Sequence, residues 1–371
     1  MQGVVFGPNG PQPLPDWPEA LPAQGFAWVA LSQQALSTQL AQVQAALTRW
    51  VGGPLVDLHV SDLLNAQLPS NFDQTGRYDL LVLRRLAQSE AVPEPRKTVK
   101  AGGPPALRHI DTRPVGFVVY DRLLLTVHPP RCGVLASYQQ RLQAMAQPDA
   151  QSTASHEPGR SAPVWAMPHS PSDLMLRLAG LVVDGYLELR RDLTRQLDHW
   201  QTELMRPDTR FNNWTSVLQA RTQLHQLEEL CEDQHTALQA WSGVLSEQAL
   251  ADNDTARQHH ELLRVRTRDV IEHIERVMHH VRRLEQSAES AIQIHFSAQG
   301  QRTNDVMRLL TVLTAVFLPL NLMAGIFGMN FDNMPLLHWH WGFVGTLVAM
   351  ALIAGIFSWY FWRKRYLEQT P

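Results

Sequence analysis

Cysteine is almost missing from this chain. Cys132 and Cys231 are the only two, far apart, at neither a zinc-ligand spacing nor the spacing of a disulfide framework, so a reducing compartment is the simplest expectation. Charge is scarce as well: 18% of the 371 residues are Asp, Glu, Lys or Arg, against roughly 25% in an ordinary soluble domain. Lysine plus arginine (32) nearly balances aspartate plus glutamate (35), so no global basic field points to a nucleic-acid partner. The first residues, MQGVVFGPNGPQPLPDW, carry no basic n-region and no long apolar run, which excludes a secretory signal there and predicts a cytoplasmic start. Walker loop, dinucleotide fingerprint, HExxH and nucleophile elbow are all absent, so no enzyme and no cofactor is expected. With 44% hydrophobic residues the chain is neither disordered nor collagen-like. A mean hydropathy of -0.20 looks soluble, yet such an average hides one or two membrane helices of about 20 residues each.

Two such runs are present. Leu309 to Phe327 covers 19 residues without a charge and Trp341 to Trp362 covers 22 more, each long enough to cross a hydrocarbon core of about 30 Å. Trp339 and Trp341 stand at one end of the second run and Trp359, Tyr360 and Trp362 at the other, as interfacial belts do. Arg363, Lys364 and Arg365 follow at once, whereas the connecting loop FDNMPLLHWH has Asp332 and no Lys or Arg. The positive-inside bias therefore predicts both termini in the cytoplasm and the loop outside.

The remainder divides in two. Up to about residue 130, strand-like runs (Phe26 to Leu31, Val56 to Val60, Tyr78 to Leu83, Val115 to Tyr120, Leu123 to His128) alternate with helical patterns at 33 to 50 and 61 to 67, which predicts an α/β domain over 1–171. Asp121 and Arg122 read as the turn of a hairpin, and two Pro- and Gly-rich stretches, 93–114 and 147–171, as loops or linker. From Ser172 the pattern is helical: one helix capped by Ser172 or Asp173 and ending near Arg206, a second over about 209–248, and a third from about 254. In the third, Val270, Ile274, Val277, Val281, Leu284, Ala288 and Ala291 form a heptad-like seam that needs a helical partner. Nothing breaks this pattern before the first apolar run, so one helix of roughly 70 residues over about 254–327 is expected, on the order of 105–110 Å long at 1.5 Å per residue. The expected organisation is a cytoplasmic domain (1–171), a helical stalk (172–300) and a transmembrane part (301–371) with spans 309–327 and 341–362 and an outer loop 328–340.

A helix surrounded by lipid has no use for polar side chains. Asn304, Thr311, Thr314 and Asn321, interleaved with Met307 and Leu318, nonetheless recur at spacings of three and four and share one face. Threonines can bond back to their own helix and asparagines can join neighbouring helices. Asn304 at the mouth and Asn321 deep in the span fit a bundle interior or an aqueous path better, which makes this face pore-lining. One span cannot enclose a pore, so the chain is expected to assemble with copies of itself, by default with cyclic symmetry.

Directly after the first span stand Gly328-Met329-Asn330, then Phe331-Asp332-Asn333-Met334-Pro335 and Trp341-Gly342. This C-terminal part resembles the CorA family of divalent-cation channels, whose signature is a Gly-Met-Asn triplet between two final transmembrane helices. The match is close over about 300–367 and architectural elsewhere. The resemblance implies an α+β membrane protein of the inner membrane, a homopentameric funnel with the first transmembrane helices lining the pore, embedded in lipid and binding divalent cations. It implies that Gly328, Met329 and Asn330 form an outer selectivity ring, with Asp332 attracting cations beside it. It places Thr303 and Asn304 at the polar mouth and Met307, Leu310 and Leu318 at hydrophobic constrictions. Family magnesium channels commonly carry threonine nine residues before the signature asparagine; Asn321 occupies that place here and still offers a carbonyl oxygen.

The family also holds its channels shut with cytoplasmic Mg²⁺ bound by acids between subunits, and counting back puts Asp269 at the stalk acid, with Gln293 in place of a second. Asp269 begins a stripe with Glu272, Glu275 and His279 on a face away from the seam, a ligand set that suits Zn²⁺ or Ni²⁺ as well as Mg²⁺. Arg276 beside it opposes a bound cation, and a solvated stalk face is the plainer account. His338 and His340 read as interface residues beside tryptophans. The expected function is a channel passing hydrated Mg²⁺, with Co²⁺ and Ni²⁺ as surrogates. An alternative is a Zn²⁺ transporter of the ZntB type, proton-coupled or not, favoured by Asn321 and the histidine-rich stalk. A third, from another class, is a membrane-anchored coiled-coil scaffold or sensor, which leaves the polar stripe and the triplet without a role.

Overall fold

The computed structural model describes residues 2–8, 10–14, 17–22, 24–87, 110–130, 132, 133, 135, 137, 138, 140, 142, 167–205, 214–247, 253–329 and 341–364. The chain divides into two compact units, Met1–Ala288 and Glu289–Pro371.

In the first unit seven strands form one sheet: β1 (Gln2–Gly7), β2 (Gly10–Pro13), β3 (Phe26–Ser32), β4 (Asn71–Gln74), β5 (Asp79–Leu86), β6 (Thr112–Val119) and β7 (Leu123–His128). Their order is β2-β1-β3-β7-β6-β5-β4, antiparallel except where β3 pairs with β7. The central strands are apolar on both faces because both faces are covered. Phe26, Trp28 and Ala30 of β3 point to one core and Ala27, Val29 and Leu31 to the other. The second core is closed by α1 (Gln33–Thr38), α2 (Leu40–Val51) and α3 (Asp57–Leu64). The first is closed by α4 (Pro171–Met205), α5 (Trp214–Glu247) and the start of α6 (Asp254–Phe327).

The expected hairpin is present, with Val119 opposite Leu124 and Asp121 and Arg122 as its two-residue loop, closed by the Tyr120 N–H to Leu123 O bond of 2.9 Å. The strand expected over Val56 to Val60 is instead helix α3. His59, Val60 and Leu63 are its buried residues, a helical spacing, and Asp57 sits in its first turn where an acid favours the helix dipole. Gly116 on β6 lets this helix come close: a Cβ there would lie 2.1 Å from Leu63 Cδ2. The helix expected over 33–50 is two, because Ser32 caps α1 through Ala35 N and the chain turns at Gln39. β1, β2 and β4 were not anticipated. Residues 112–114, expected in a loop, begin β6; most of both expected linkers, 93–114 and 147–171, lies outside the described residues.

Helix α4 is capped by Ser170 rather than by the expected Ser172 or Asp173. Pro171 takes the first position, where its missing N–H costs nothing, and Ser170 Oγ accepts from Asp173 N at 3.1 Å. The seam of α6 is buried as its spacing predicts: Val270, Ile274, Val277, Val281, Leu284 and Ala288 all join the core with residues of α4 and α5. Each large aliphatic side chain so buried contributes roughly 1.5–3 kcal/mol. The sheet is tied to these helices through one carbonyl: Arg84 O accepts from Tyr186 Oη of α4 and Gln234 Nε2 of α5, both at 2.7 Å.

Candidate ion-conducting site

The second unit contains the outer part of α6 and helix α7 (Gly342–Arg363). Both are long and apolar enough to cross a membrane. Within α6, Val312 is buried and Ala315, Val316, Pro319, Leu320 and Met323 are half-buried; these form one row against α7, whose own half-buried residues are Thr346, Ala349, Met350, Ile353 and Ala354. Small side chains at such a seam let two backbones approach.

The polar stripe lies elsewhere on the same helix. Asn304, Thr311, Thr314 and Asn321 are all exposed, as are Met307, Leu310 and Leu318. At 100° per residue the stripe is turned by about 140° from the row that meets α7. One edge of this face still borders α7, since Phe357 lines a shared cavity with Met307, Leu310, Thr311, Thr314 and Leu318. Thr311 Oγ1 donates to Met307 O at 2.7 Å and Thr314 Oγ1 donates to Leu310 O at 2.8 Å. Each hydroxyl spends its proton on its own helix, so only lone pairs remain to face outward. Such an oxygen accepts from the water shell of a hydrated cation and offers nothing to an anion. Thr303 Oγ1 makes the same bond to Gln299 O, at 3.1 Å.

Pro319 stands within the helix and withholds an amide from the carbonyl one turn back, Ala315 O, yet the helix continues to Phe327. Gly328 follows, its N–H bonding Ala324 O at 2.9 Å; a side chain there would set Cβ 3.0 Å from the same oxygen. Met329 is about half exposed, with its N–H on Ile326 O. Asn330, Asp332, His338 and His340 lie outside the described residues. At the far end of α7, the Arg363 guanidinium sits 5.3 Å from the Trp359 ring and Lys364 Nζ 5.4 Å from the Tyr360 ring. These cation–π contacts hold the basic run against the aromatic belt.

In the first unit the acidic stripe of α6 is divided among separate contacts. Glu275 Oε1 lies 3.0 Å from His235 Nε2 of α5. Glu272 pairs with Arg276 at 3.6 Å. Asp269 lies 3.7 Å from His273, whose other nitrogen is 3.8 Å from Asp184 of α4. His279 is exposed. The four are on one side of the helix and nothing draws them to one point. His280, which was not singled out, meets Thr194 of α4 at 2.8 Å; burial and the neighbouring Arg190 and Arg283 lower its pKa. Sequence spacing on one helix carries no signal for such cross-helix partners.

A family model for CorA-like Mg²⁺ transporter proteins matches residues 23–365. The chain belongs to this CorA-like family. The cobalt/magnesium transport protein CorA of Thermotoga maritima is 37% identical over 100 residues, which is 27% of this chain and 28% of that protein. Other curated relatives are likewise matched over about a quarter of their length, 21% and 24%. The complete structure of the CorA magnesium transporter from Methanocaldococcus jannaschii superposes with a TM-score of 0.64 at 16% identity, covering 98% of both chains. The structure of the full-length CmaX protein gives 0.62 at 17% identity, over 98% of this chain and 97% of that one. These two likenesses establish the CorA-like fold: a soluble N-terminal domain, one long helix and two apolar C-terminal helices. The description of the family is that of Mg²⁺ transporter proteins.

Proposed function

We propose that this protein is a channel for divalent cations, Mg²⁺ foremost and Co²⁺ or Ni²⁺ as surrogates, in the inner membrane with both termini cytoplasmic. Five copies surround the axis, each contributing the stripe Asn304, Met307, Leu310, Thr311, Thr314, Leu318 and Asn321. The observation that carries this reading is that stripe: neutral oxygens, all exposed, along one face of a membrane helix. Mg²⁺ is hard and dehydrates reluctantly, so weak contacts from amide and hydroxyl oxygens to its water shell suit passage better than a cage of carboxylates. Met307, Leu310 and Leu318 form narrow apolar rings that close by dewetting. Gly328, Met329 and Asn330 make the outer ring, and Asp332 concentrates cations at its mouth. The membrane potential drives entry by about 2.3 kcal/mol per charge per 100 mV.

The zinc reading drew support from the histidines of the helical part. Three of them make contacts between helices, His235 to Glu275, His273 to Asp184 and His280 to Thr194, which gives them a structural role and supports magnesium. Purified protein in liposomes is expected to take up Mg²⁺, and Asn330→Ala to abolish selective uptake while the oligomer stays intact. Unchanged flux in that variant removes the pore assignment. Zn²⁺ flux that needs a pH gradient, without Mg²⁺ flux, reverses the choice of ion.

A further inference from the structure

In the first unit, one turn apart on α5, stand His225 and Glu228, and across from them on α6 stands Glu285. One imidazole nitrogen and one oxygen from each carboxylate lie within 4.8 Å of one another. We propose that these three side chains form a binding site for a borderline transition-metal ion, Zn²⁺, Ni²⁺ or Co²⁺, that clamps α5 to α6. The site is separate from the pore, and it would stand if the pore reading failed.

The donor set selects the class of ion. One imidazole with two carboxylates suits Zn²⁺, Ni²⁺ or Co²⁺, whereas Mg²⁺ prefers oxygen alone. Bonds of 2.0–2.2 Å put tetrahedral donors about 3.3 Å apart, so closing the set from 4.8 Å needs a movement of about 1 Å at each side-chain end. Two ligands come from successive turns of a helix packed into the core and the third from its neighbour in the same core, which fixes the backbones. The carboxylates are sheltered, at 16% and 23% side-chain exposure, while His225 at 62% opens the site to solution.

The surrounding charge favours a cation. Glu229 lies 3.5 Å from His225 Nε2, and Glu232 shares Arg282 with Glu228. Arg221 Nε is 3.8 Å from Glu285. Four carboxylates thus face two guanidinium groups, leaving two formal negative charges for a divalent ion to neutralise. Arg282 is the competitor, since it holds one oxygen of Glu228. Cys231 on the same helix is no ligand: burial and the adjacent Glu228 and Glu232 push its thiol up to about 12, so it stays protonated.

The test is a Zn²⁺ titration of the full-length, tag-free protein in detergent, against a chromophoric chelator and in excess Mg²⁺ to fill oxygen-only sites. His225→Ala and Glu285→Gln are each expected to weaken one Zn²⁺ per chain at least tenfold. Arg282→Gln is expected to tighten the same ion several-fold by freeing Glu228, a sign that a purely structural ion cluster would not give. His225 is largely exposed, so its variant folds and keeps the question open to refutation if Glu285→Gln does not. Zn²⁺ affinity equal to the unmodified chain in folded His225→Ala, or weakened by Arg282→Gln, overturns the site. Liposome Mg²⁺ uptake by His225→Ala reports on the pore separately and is expected to match the unmodified chain.

Discussion

Asn321 is the costliest residue of the membrane part. An unpartnered amide in hydrocarbon loses hydrogen bonds worth several kcal/mol, and Asn321 is exposed on α6. In an aqueous pore that amide is solvated and costs little. Asn321→Leu therefore raises the stability of the folded chain in lipid or leaves it unchanged, while cutting Mg²⁺ flux at least tenfold; loss of assembly, or an intact oligomer with unchanged flux, would make it helix glue instead. Thr314 makes a finer test because Thr314→Val keeps the shape. Its hydroxyl proton is committed to Leu310 O, so the variant removes one acceptor from the water shell, worth about 1 kcal/mol or about fivefold in flux.

Among the elements, α6 serves two solvents with one backbone, and the two halves were legible to different degrees. The seam from Val270 to Ala288 was readable because a spacing of three and four has one meaning once a partner exists, and α4 and α5 supply that partner. Ile274→Ala is expected to destabilise the first unit by about 2–5 kcal/mol, seen as a lower denaturation midpoint. The same periodicity puts the polar stripe on one exposed face, and its role there is the proposal above. β1, β2 and β4 were not, since Gly10-Pro11-Gln12-Pro13 and Asn71-Phe72-Asp73-Gln74 form edge pairings that depend on a neighbour strand and hold few buried residues. Val56 to Val60 misled because alternation over five residues fits either period, and the outcome rests on Leu63 packing over Gly116, which is far away in sequence. The contacts of His235, His273 and His280 were equally invisible, because they depend on how three helices align. His280 makes its contact measurable. Burial lowers its folded pKa, so the folded chain favours neutral imidazole; stability is full above the ordinary histidine value of about 6.5 and is lost as pH falls through the lowered one. The fall of melting temperature between pH 7 and pH 5.5 should be shallower in His280→Gln than in the unmodified chain. An identical slope would show that His280 is not among the groups that titrate on unfolding.

For the whole molecule, the scarcity of charge takes on a definite location: the spans carry none between Leu309 and Phe327, and the polar residues left there are neutral. One such helix cannot surround water, so the proposed function requires a ring in which every copy supplies the same oxygens, as closed cyclic assemblies do. That requirement has a quantitative consequence. If all five chains must carry Asn330 for selective conduction, mixing equal amounts of unmodified and Asn330→Ala chains during assembly leaves a fraction (1/2)⁵, about 3%, of fully native rings. Mg²⁺ uptake per chain should then fall to a few per cent of the unmodified level in co-reconstituted liposomes. Were each chain its own pathway, the same mixture would retain about half. The shape of flux against mixing ratio thus counts the chains around the axis, and a straight line through the half-way point would end the case for a shared pore.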